Sequence, residues 1–378
     1  MDNTDEILKE ADACVKCGLC LPHCPTYGVT ASERESPRGR VALVQGLLQG
    51  DLSAEGAWPA LDRCLGCAAC ERACPSGVRV TALVDAMRAR TLARRTMPGR
   101  LLYRSSLRLL ARPGIWIGAA RAARWIGLGR LPGPGRWLRA LPEAPPCARV
   151  TPRAGTLLFA GCTGRGLEPA ALEAAVRVCA GLGIPLALPA GRLCCGALFR
   201  HQGLEGEGRR LLEESARVLS GYSRILTVAS ACAGGLQGHP ALSGRVQEIC
   251  TFLATRPGLE APPLAGRVAV HTPCTQNQWP GGDGAALRLL ARVPDLEVIP
   301  LDAGWGCCGA AGIQMLRHPG QARRLRAPLI QWLARHPVDW LATTNTGCAL
   351  HLRAGLAEAG LAIPVVHPLE LVAGRSRP

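Results

Sequence analysis

With 378 residues, the chain is long for one domain and comfortable for two or three. Nearly half of it is apolar (48%), which favours a packed core over disorder, and at 4% aromatics Leu, Val and Ala must do most of the packing. The formal charge is +16, but 42 of the 44 basic residues are Arg, with only Lys9 and Lys16 besides. That bias accompanies abundant Ala, Gly and Pro, so the local concentration of charge carries more meaning than its sum.

The chain opens on an acidic, polar stretch, MDNTDEILKEADAC, with neither the basic nor the apolar region of a secretory leader. No uncharged apolar run approaches the ~20 residues of a membrane span. A cytoplasmic protein is expected, soluble or peripheral on the inner face of the membrane. In a reducing compartment, 19 cysteines at regular short spacing read as metal ligands rather than disulfides.

Cys14, Cys17, Cys20 and Cys24, followed by Pro25, make the four-cysteine run of bacterial ferredoxins, and 50 residues on Cys64, Cys67, Cys70, Cys74 and Pro75 repeat it. A tight coil of three cysteines caps three iron corners of a cubane, and in two-cluster ferredoxins the fourth cysteine crosses to the other cluster. Two [4Fe–4S] clusters follow: one on Cys14, Cys17, Cys20 and Cys74, the other on Cys64, Cys67, Cys70 and Cys24. Zinc knuckles usually stand as separated cysteine pairs, so this packing of thiols argues against zinc. Crossed ligation brings the two runs side by side. The residues between them return on an excursion whose Arg40–Leu48 stretch, apolar at Val41, Val44, Leu47 and Leu48, predicts a helix. An α-helical ferredoxin domain over 1–95 is expected.

From Arg88 to Arg139 there are 13 Arg and no Asp or Glu. With Pro132-Gly133-Pro134-Gly135 and the prolines between Pro142 and Pro146, residues 96–150 read as a basic linker. Arg100, Arg104, Arg108 and Arg112 make one helical stripe with Leu102, Leu109 and Leu110 roughly opposite; Trp116, Trp125 and Trp137 follow. The basic segment 88–139 suits either an anionic membrane surface and a quinone acceptor, or packing on protein. No recognised nucleic-acid module carries the charge, so nucleic acid is not expected as a partner.

A second repeat fills the remainder. Cys162, Cys194-Cys195-Gly196 and Cys232 recur as Cys274, Cys307-Cys308-Gly309 and Cys348. Thr156–Ala160, Ile225–Ala229, Val268–His271, Leu296–Leu301 and Trp340–Thr343 read as buried strands. Glu168–Leu182, Gly208–Leu219, Ala285–Ala291 and Gln321–Ala334 read as helices. Alternating strands and helices predict two α/β modules, 151–260 and 261–378, with largely parallel sheets and cysteines in loops at the strands' carboxyl ends. The fold class is therefore α+β multidomain: an N-terminal α-helical ferredoxin with two clusters, then two duplicated α/β Cys-Cys-Gly modules.

Vicinal cysteines that recur in register are hard to explain by packing, although buried free thiols are common. The second module, through Cys274, Cys307, Cys308 and Cys348, is expected to hold a third metal or redox centre, an additional cluster included. His351, three residues after Cys348, would serve as the imidazole ligand. The first module's site is Cys162, Cys194, Cys195 and Cys232, with Gly235 where His351 has its counterpart. His271, three residues before Cys274, is a candidate support for this site, although a lone histidine near a strand end is more often an ordinary polar residue. Gly304-Trp305-Gly306-Cys307-Cys308-Gly309 fits G-x-G-x-x-G only literally, without its strand–turn–helix context. No flavin or nicotinamide domain is recognised.

The first ~90 residues resemble the iron–sulfur subunit of bacterial glycolate oxidase and its D-lactate dehydrogenase relatives. The resemblance lies in Cys14-Val-Lys-Cys-Gly-Leu-Cys-Leu-Pro-His-Cys-Pro-Thr-Tyr27, in Ser36-Pro-Arg-Gly-Arg40, and in the run from Asp62 to Val78. The later modules are similar to the cysteine-rich domains of heterodisulfide reductase, but end Cys232-Ala-Gly-Gly235 and Cys348-Ala-Leu-His351 where that superfamily has C-x-x-C. The resemblance implies an electron carrier serving a separate flavin (FAD) subunit that oxidises glycolate or D-lactate, with electrons leaving toward quinone and no catalytic residue in this chain. The alternative is a thiol/disulfide reductase acting at a Cys-Cys-Gly site, which the missing last cysteine argues against.

Overall fold

The computed structural model describes residues 3–94, 96–112, 155–189, 193–278 and 281–374, with Ile115, Gly118 and Gly191 besides. The linker prolines and Trp116, Trp125 and Trp137 lie outside the described residues.

The N-terminal part is helical. Asn3 caps Thr4–Asp12 by accepting from the Asp5 amide, with Asp5 and Glu6 in the first turn and Lys9 in the last, as the helix dipole favours. The predicted excursion helix runs Pro37–Gln49: the Ser36 side chain accepts from the Gly39 amide, Pro37 supplies a fixed φ at the first turn, and Gly50 closes the end at φ 87°. Ala54–Asp62 and Val80–Ala93 complete the bundle. Ile7, Ala11, Val41, Val44, Leu61, Leu83 and Val84 form its core. Met97–Leu110 is a further helix inside the segment expected to be linker.

Two four-stranded parallel sheets follow. In the first, β1 (Thr156–Phe159), β2 (Leu186–Ala187), β3 (Arg224–Thr227) and β4 (Val246–Glu248) stand in the order β2-β1-β3-β4. In the second, β5 (Gly266–His271), β6 (Leu296–Pro300), β7 (Trp340–Thr343) and β8 (Val365–Val366) stand as β6-β5-β7-β8. The topology is the same, so the sequence repeat is a repeat of structure. Register makes it residue-exact: Phe159 pairs Thr227 at the end of the first sheet, and His271 pairs Thr343 at the end of the second. In both sheets the order reverses beside the first strand, which opens a crevice at the carboxyl edge. One core, including Leu158, Leu226, Val268, Val270, Trp340 and Leu369, runs across both modules and joins them.

Candidate metal centres

The two ferredoxin loops share a backbone device. The second and fourth residues after the first cysteine take positive φ in each: Lys16 (55°) and Gly18 (87°), then Gly66 (63°) and Ala68 (54°). Two left-handed residues coil each run tightly enough to turn three thiols inward, at a steric cost that Lys16 and Ala68 bear for lack of glycine's freedom.

Cys24, Cys64, Cys67 and Cys70 line one pocket, together with Thr26, Arg40 and Val80 among others. Cys24 comes from the first run and the other three from the second. It stands at the N-cap of the helix Pro25–Thr30. Its Sγ lies 3.2 Å from Thr26 Oγ1, 3.7 Å from the Glu35 carbonyl and 3.8 Å from Arg40 Nη1. Burial pushes the Cys67 thiol up to about 11, and burial with the neighbouring thiols pushes Cys70 up as well. Four thiols crowded into one pocket are what a cationic iron core holds together, so the donor set fits a cubane. Around Cys14, Cys17, Cys20 and Cys74 the setting is wetter: Cys17 is exposed and the other three are half-buried. Cys74 Sγ accepts from the Val78 amide at 3.4 Å. Val15 and Leu19 project into solvent beside these thiols.

The second module is seated on the cluster loop. Gln278 donates to the Cys67 carbonyl (3.3 Å), Gln314 to the Cys64 carbonyl (3.3 Å) and Gln321 to the Arg63 carbonyl (3.2 Å). Arg88, from the helical domain, donates to the same loop at the carbonyls of Asp62 (2.9 Å) and Cys64 (2.6 Å). The Asp62 carboxylate receives Arg317 (2.8 Å) and His318 (2.9 Å). Burial works to raise the Asp62 carboxyl, but His318 and Arg317 outweigh it and hold it below its usual range. Trp305, immediately before the vicinal pair's turn, lies over Gly28, where any Cβ would sit 1.9 Å from the indole.

Within the second module, Cys308 Sγ and Cys348 Sγ are 2.8 Å apart. Cys348 occupies the first turn of Thr346–Glu358, capped by Asn345. Gly309 makes the turn after the pair at φ 74°, and a Cβ there would lie 2.5 Å from the Ala322 carbonyl. The imidazole among these thiols is His271 rather than His351: ligand atoms of His271, Cys308 and Cys348 lie within 4.8 Å of one another, all three residues buried. His351 Nδ1 instead donates to the Cys308 carbonyl at 2.6 Å, which fixes the backbone of the vicinal pair. Helical geometry explains the difference, since three residues past Cys348 the helix has carried His351 beneath the Cys308 main chain. Burial pushes His271 down to about 4, so it is a neutral ring. The hydrogen bond with Cys348 draws the Cys308 thiol below its usual range.

The first module repeats the arrangement without the imidazole. Cys195 is again the low thiol, held so by hydrogen bonds with Cys194 and Cys232, while Cys162 and Cys195 push Cys194 up. Ser215 clamps the Cys194 main chain from both sides at 2.9 Å. A side chain at Gly235 would meet Cys195 Cβ at 2.8 Å, so this position has no room for a further ligand.

A group that sequence reading missed, Glu248, Cys250 and His367, also gathers its polar atoms within 4.8 Å. Its groups are committed elsewhere. Glu248 caps Ile249–Ala254 and accepts Gln276 Nε2 at 2.7 Å; His367 accepts from the Leu369 amide and donates to the Val228 carbonyl at 3.1 Å. It is a joint between modules, which the sequence could signal only through the cap positions.

Two of the four arginines of the basic stripe pair with the buried Glu207 carboxylate. Arg108 Nε bonds Glu207 Oε1 at 2.8 Å and Arg104 Nε bonds Glu207 Oε2 at 2.9 Å. Those two arginines are engaged by the chain itself, while Arg100 and Arg112 are exposed. Leu101, Leu102 and Met97 of that helix are strongly exposed, at 62%, 74% and 72%. No described helix is long and apolar enough to cross a membrane.

Comparison with known proteins agrees with this anatomy. Residues 10–78 match the 4Fe-4S dicluster domain family, and residues 156–237 and 268–353 each match the cysteine-rich domain family. The chain is 31% identical to the glycolate oxidase iron-sulfur subunit of Escherichia coli (strain K12), covering 97% of this chain and 94% of that protein. It is 26% identical to the probable glycolate oxidase iron-sulfur subunit of Bacillus subtilis (strain 168), over 95% and 92%. It is 23% identical to one of the subunits of the dihydromethanophenazine:CoB--CoM heterodisulfide reductase of Methanosarcina barkeri, over 97% and 94%. A helical dicluster domain followed by paired cysteine-rich modules, with this likeness along nearly its whole length, places the chain in the family of glycolate oxidase-type iron–sulfur electron-transfer subunits.

Proposed function

We propose that the protein is the electron-transfer subunit of a flavin-linked 2-hydroxyacid dehydrogenase acting on glycolate or D-lactate. It receives electrons from a separate flavoprotein subunit and delivers them toward a quinone-type acceptor. Two [4Fe–4S] clusters supply the one-electron carriers, held by Cys14, Cys17, Cys20 and Cys74 and by Cys24, Cys64, Cys67 and Cys70. The observation that carries this reading is the shared cavity of Cys24 with Cys64, Cys67 and Cys70, as crossed ligation requires.

The chain's own residues give the path a direction in space. Exposed Cys17, flanked by the outward Val15 and Leu19, is the accessible face for a partner. Cys24, Cys64 and Cys70 are buried, and their loop is sealed by Gln278, Gln314 and Gln321 of the second module. That module's thiols, Cys274, Cys307, Cys308 and Cys348, form a third metal or redox centre on the far side of the same loop. The corresponding thiols of the first module, Cys162, Cys194, Cys195 and Cys232, are a scaffold.

The test is reconstitution. The isolated chain should not oxidise glycolate or D-lactate, and adding the flavoprotein subunit should restore quinone-linked turnover. Turnover by the isolated chain at the rate of the complex would overturn the subunit reading.

A further inference from the structure

The helix Met97–Leu110 has two contrasting faces. On one, Leu107 is fully buried in a cluster with Phe199 of the first module and Ile313 of the second, and Tyr103, Leu110 and Ala111 pack against it. The other is bare: Met97, Leu101 and Leu102 are strongly exposed and Leu109 is exposed beside them. At 3.6 residues per turn these four fall within one arc of about 140°. Arg100, Arg104 and Arg108 run along an edge of that arc, and Arg112 follows the helix end. Arg104 and Arg108 share the single Glu207 carboxylate and still keep 43% and 41% of their side chains exposed, so the three groups together stay positive. Arg100 and Arg112 are exposed as well. From Arg88 to Arg139 the sequence has 13 Arg and no Asp or Glu. Apolar side chains gathered on one outward face mark an interaction surface, and an excess of cations along its rim suits a helix lying in the plane of a membrane interface.

We propose that this outward face docks the protein on an anionic lipid surface, with Met97, Leu101, Leu102 and Leu109 entering the boundary between headgroups and acyl chains and Arg100 and Arg112 meeting lipid phosphates. The proposal rests on the reading of a quinone-type acceptor and names where that acceptor is met. Charge decides the occupant. Anionic headgroups attract every basic residue held near them, whatever its exact position, and the apolar face adds a burial that charge alone does not provide. Insertion is shallow. Ser105 and Ser106 share the outward arc, and Ser106 Oγ donates to the Tyr103 carbonyl at 2.8 Å, so that hydroxyl keeps its partner when headgroups close over it. The face is also presented ready-made: the pairing with Glu207 and the burial of Leu107 hold the helix on the protein before any lipid is met. Its inward side leads to the buried cluster. Tyr103 donates to Gln202 at 2.8 Å, Gln202 accepts Arg317 at 3.2 Å, and Arg317 holds Asp62, two residues before Cys64, at 2.8 Å. Three side chains thus connect the lipid-facing helix to the loop of the buried cluster.

The experiment is flotation of the full chain, alone and with its flavoprotein subunit, on mixed phosphatidylglycerol–phosphatidylcholine vesicles and on phosphatidylcholine alone. It covers the wild type, the triple variant Met97→Ser, Leu101→Ser, Leu102→Ser, and the double variant Arg100→Gln, Arg112→Gln. All five side chains are exposed, so both variants should keep the wild-type iron content, which checks that they fold. The wild type should float with the anionic vesicles and far less with the neutral ones. The triple variant should bind about tenfold more weakly, and the double variant about tenfold more weakly at low salt. A wild type that stays behind with anionic vesicles overturns the inference. So does a triple variant that floats like the wild type, and if that variant has lost the flavoprotein subunit the face belongs to a protein partner. Quinone-linked turnover is read separately. A complex that floats but passes no electrons to quinone removes the acceptor reading and leaves the docking face standing; one that reduces a water-soluble quinone but does not float does the reverse.

Discussion

Arg40 is the charge that distinguishes the buried ferredoxin site. It is 2% exposed, donates from Nε to the Ala60 carbonyl at 2.9 Å, and holds Nη1 3.8 Å from Cys24 Sγ. Its nearest carboxylate, Glu35, is 3.9 Å away and is shared with Arg63 at 2.6 Å. A buried guanidinium beside a thiolate ligand favours the reduced, more negative cluster, and hydrogen bonds and charges around the sulfurs are what set such potentials. Arg40→Met should lower the potential of the buried cluster by on the order of tens of millivolts and leave the exposed one unchanged. An EPR-monitored redox titration reads the two separately, and an equal shift in both would refute the local effect. The four-cysteine spacings and Arg40 itself were legible in the sequence, but Arg40's burial was not. His271 was legible as a candidate support for the second module's site, but its setting was not. A histidine at a strand end gains its meaning only from Thr343, 72 residues away, and the nearer match to the missing cysteine, His351, pointed elsewhere.

At the scale of elements, the turns after the vicinal cysteines are closed to any side chain. A Cβ at Gly196 would lie 2.1 Å from the Gly208 carbonyl, and one at Gly309 2.5 Å from that of Ala322, both at positive φ. Gly50 also has positive φ but nothing within 4 Å. Gly50→Ala should therefore cost only the left-handed strain, about 1–2 kcal/mol, whereas Gly196→Ala and Gly309→Ala should cost more, as displaced main chain is added. Urea unfolding of the three variants checks the ranking, and equal costs would contradict it.

The helix Met97–Leu110 depends on Glu207. Its arginine partners hold that carboxyl down to about 2 against the cost of burial. A depressed carboxylate contributes above its unfolded pKa and fades as pH falls toward the folded one. Its whole contribution is therefore present at neutral pH and is lost between about pH 4.5 and 2. Glu207→Gln at pH 7 should speed amide hydrogen exchange across Met97–Leu110 several-fold, with little change in Thr4–Asp12. Unchanged exchange would mean that Leu107 and Tyr103 hold the helix alone.

Five strands were readable as apolar runs bounded by turns. Leu186–Ala187, Val246–Glu248 and Val365–Val366 were not, because pairs and triplets at sheet edges carry too little periodicity. The helix at 97–110 was legible as a basic helical stripe, but its packing partner was not, because the acid that engages Arg104 and Arg108 lies about 100 residues downstream.

For the whole molecule, the two copies of one module do different work by virtue of where they sit. The second copy grips the Asp62–Cys67 loop through Arg317, His318 and three glutamines, and keeps an imidazole. The first supports Met97–Leu110 and has filled the equivalent place with Phe159. Everything rests on the interleaving of the two four-cysteine runs, which Cys→Ser substitution with iron analysis and low-temperature EPR tests most directly. Each of the eight variants should fall from about eight irons toward about four. Cys24→Ser should lose the same EPR signal as Cys64→Ser, and Cys74→Ser the same signal as Cys14→Ser. If Cys24→Ser instead removes the signal lost in Cys14→Ser, each run holds its own cluster and the crossed centre is wrong.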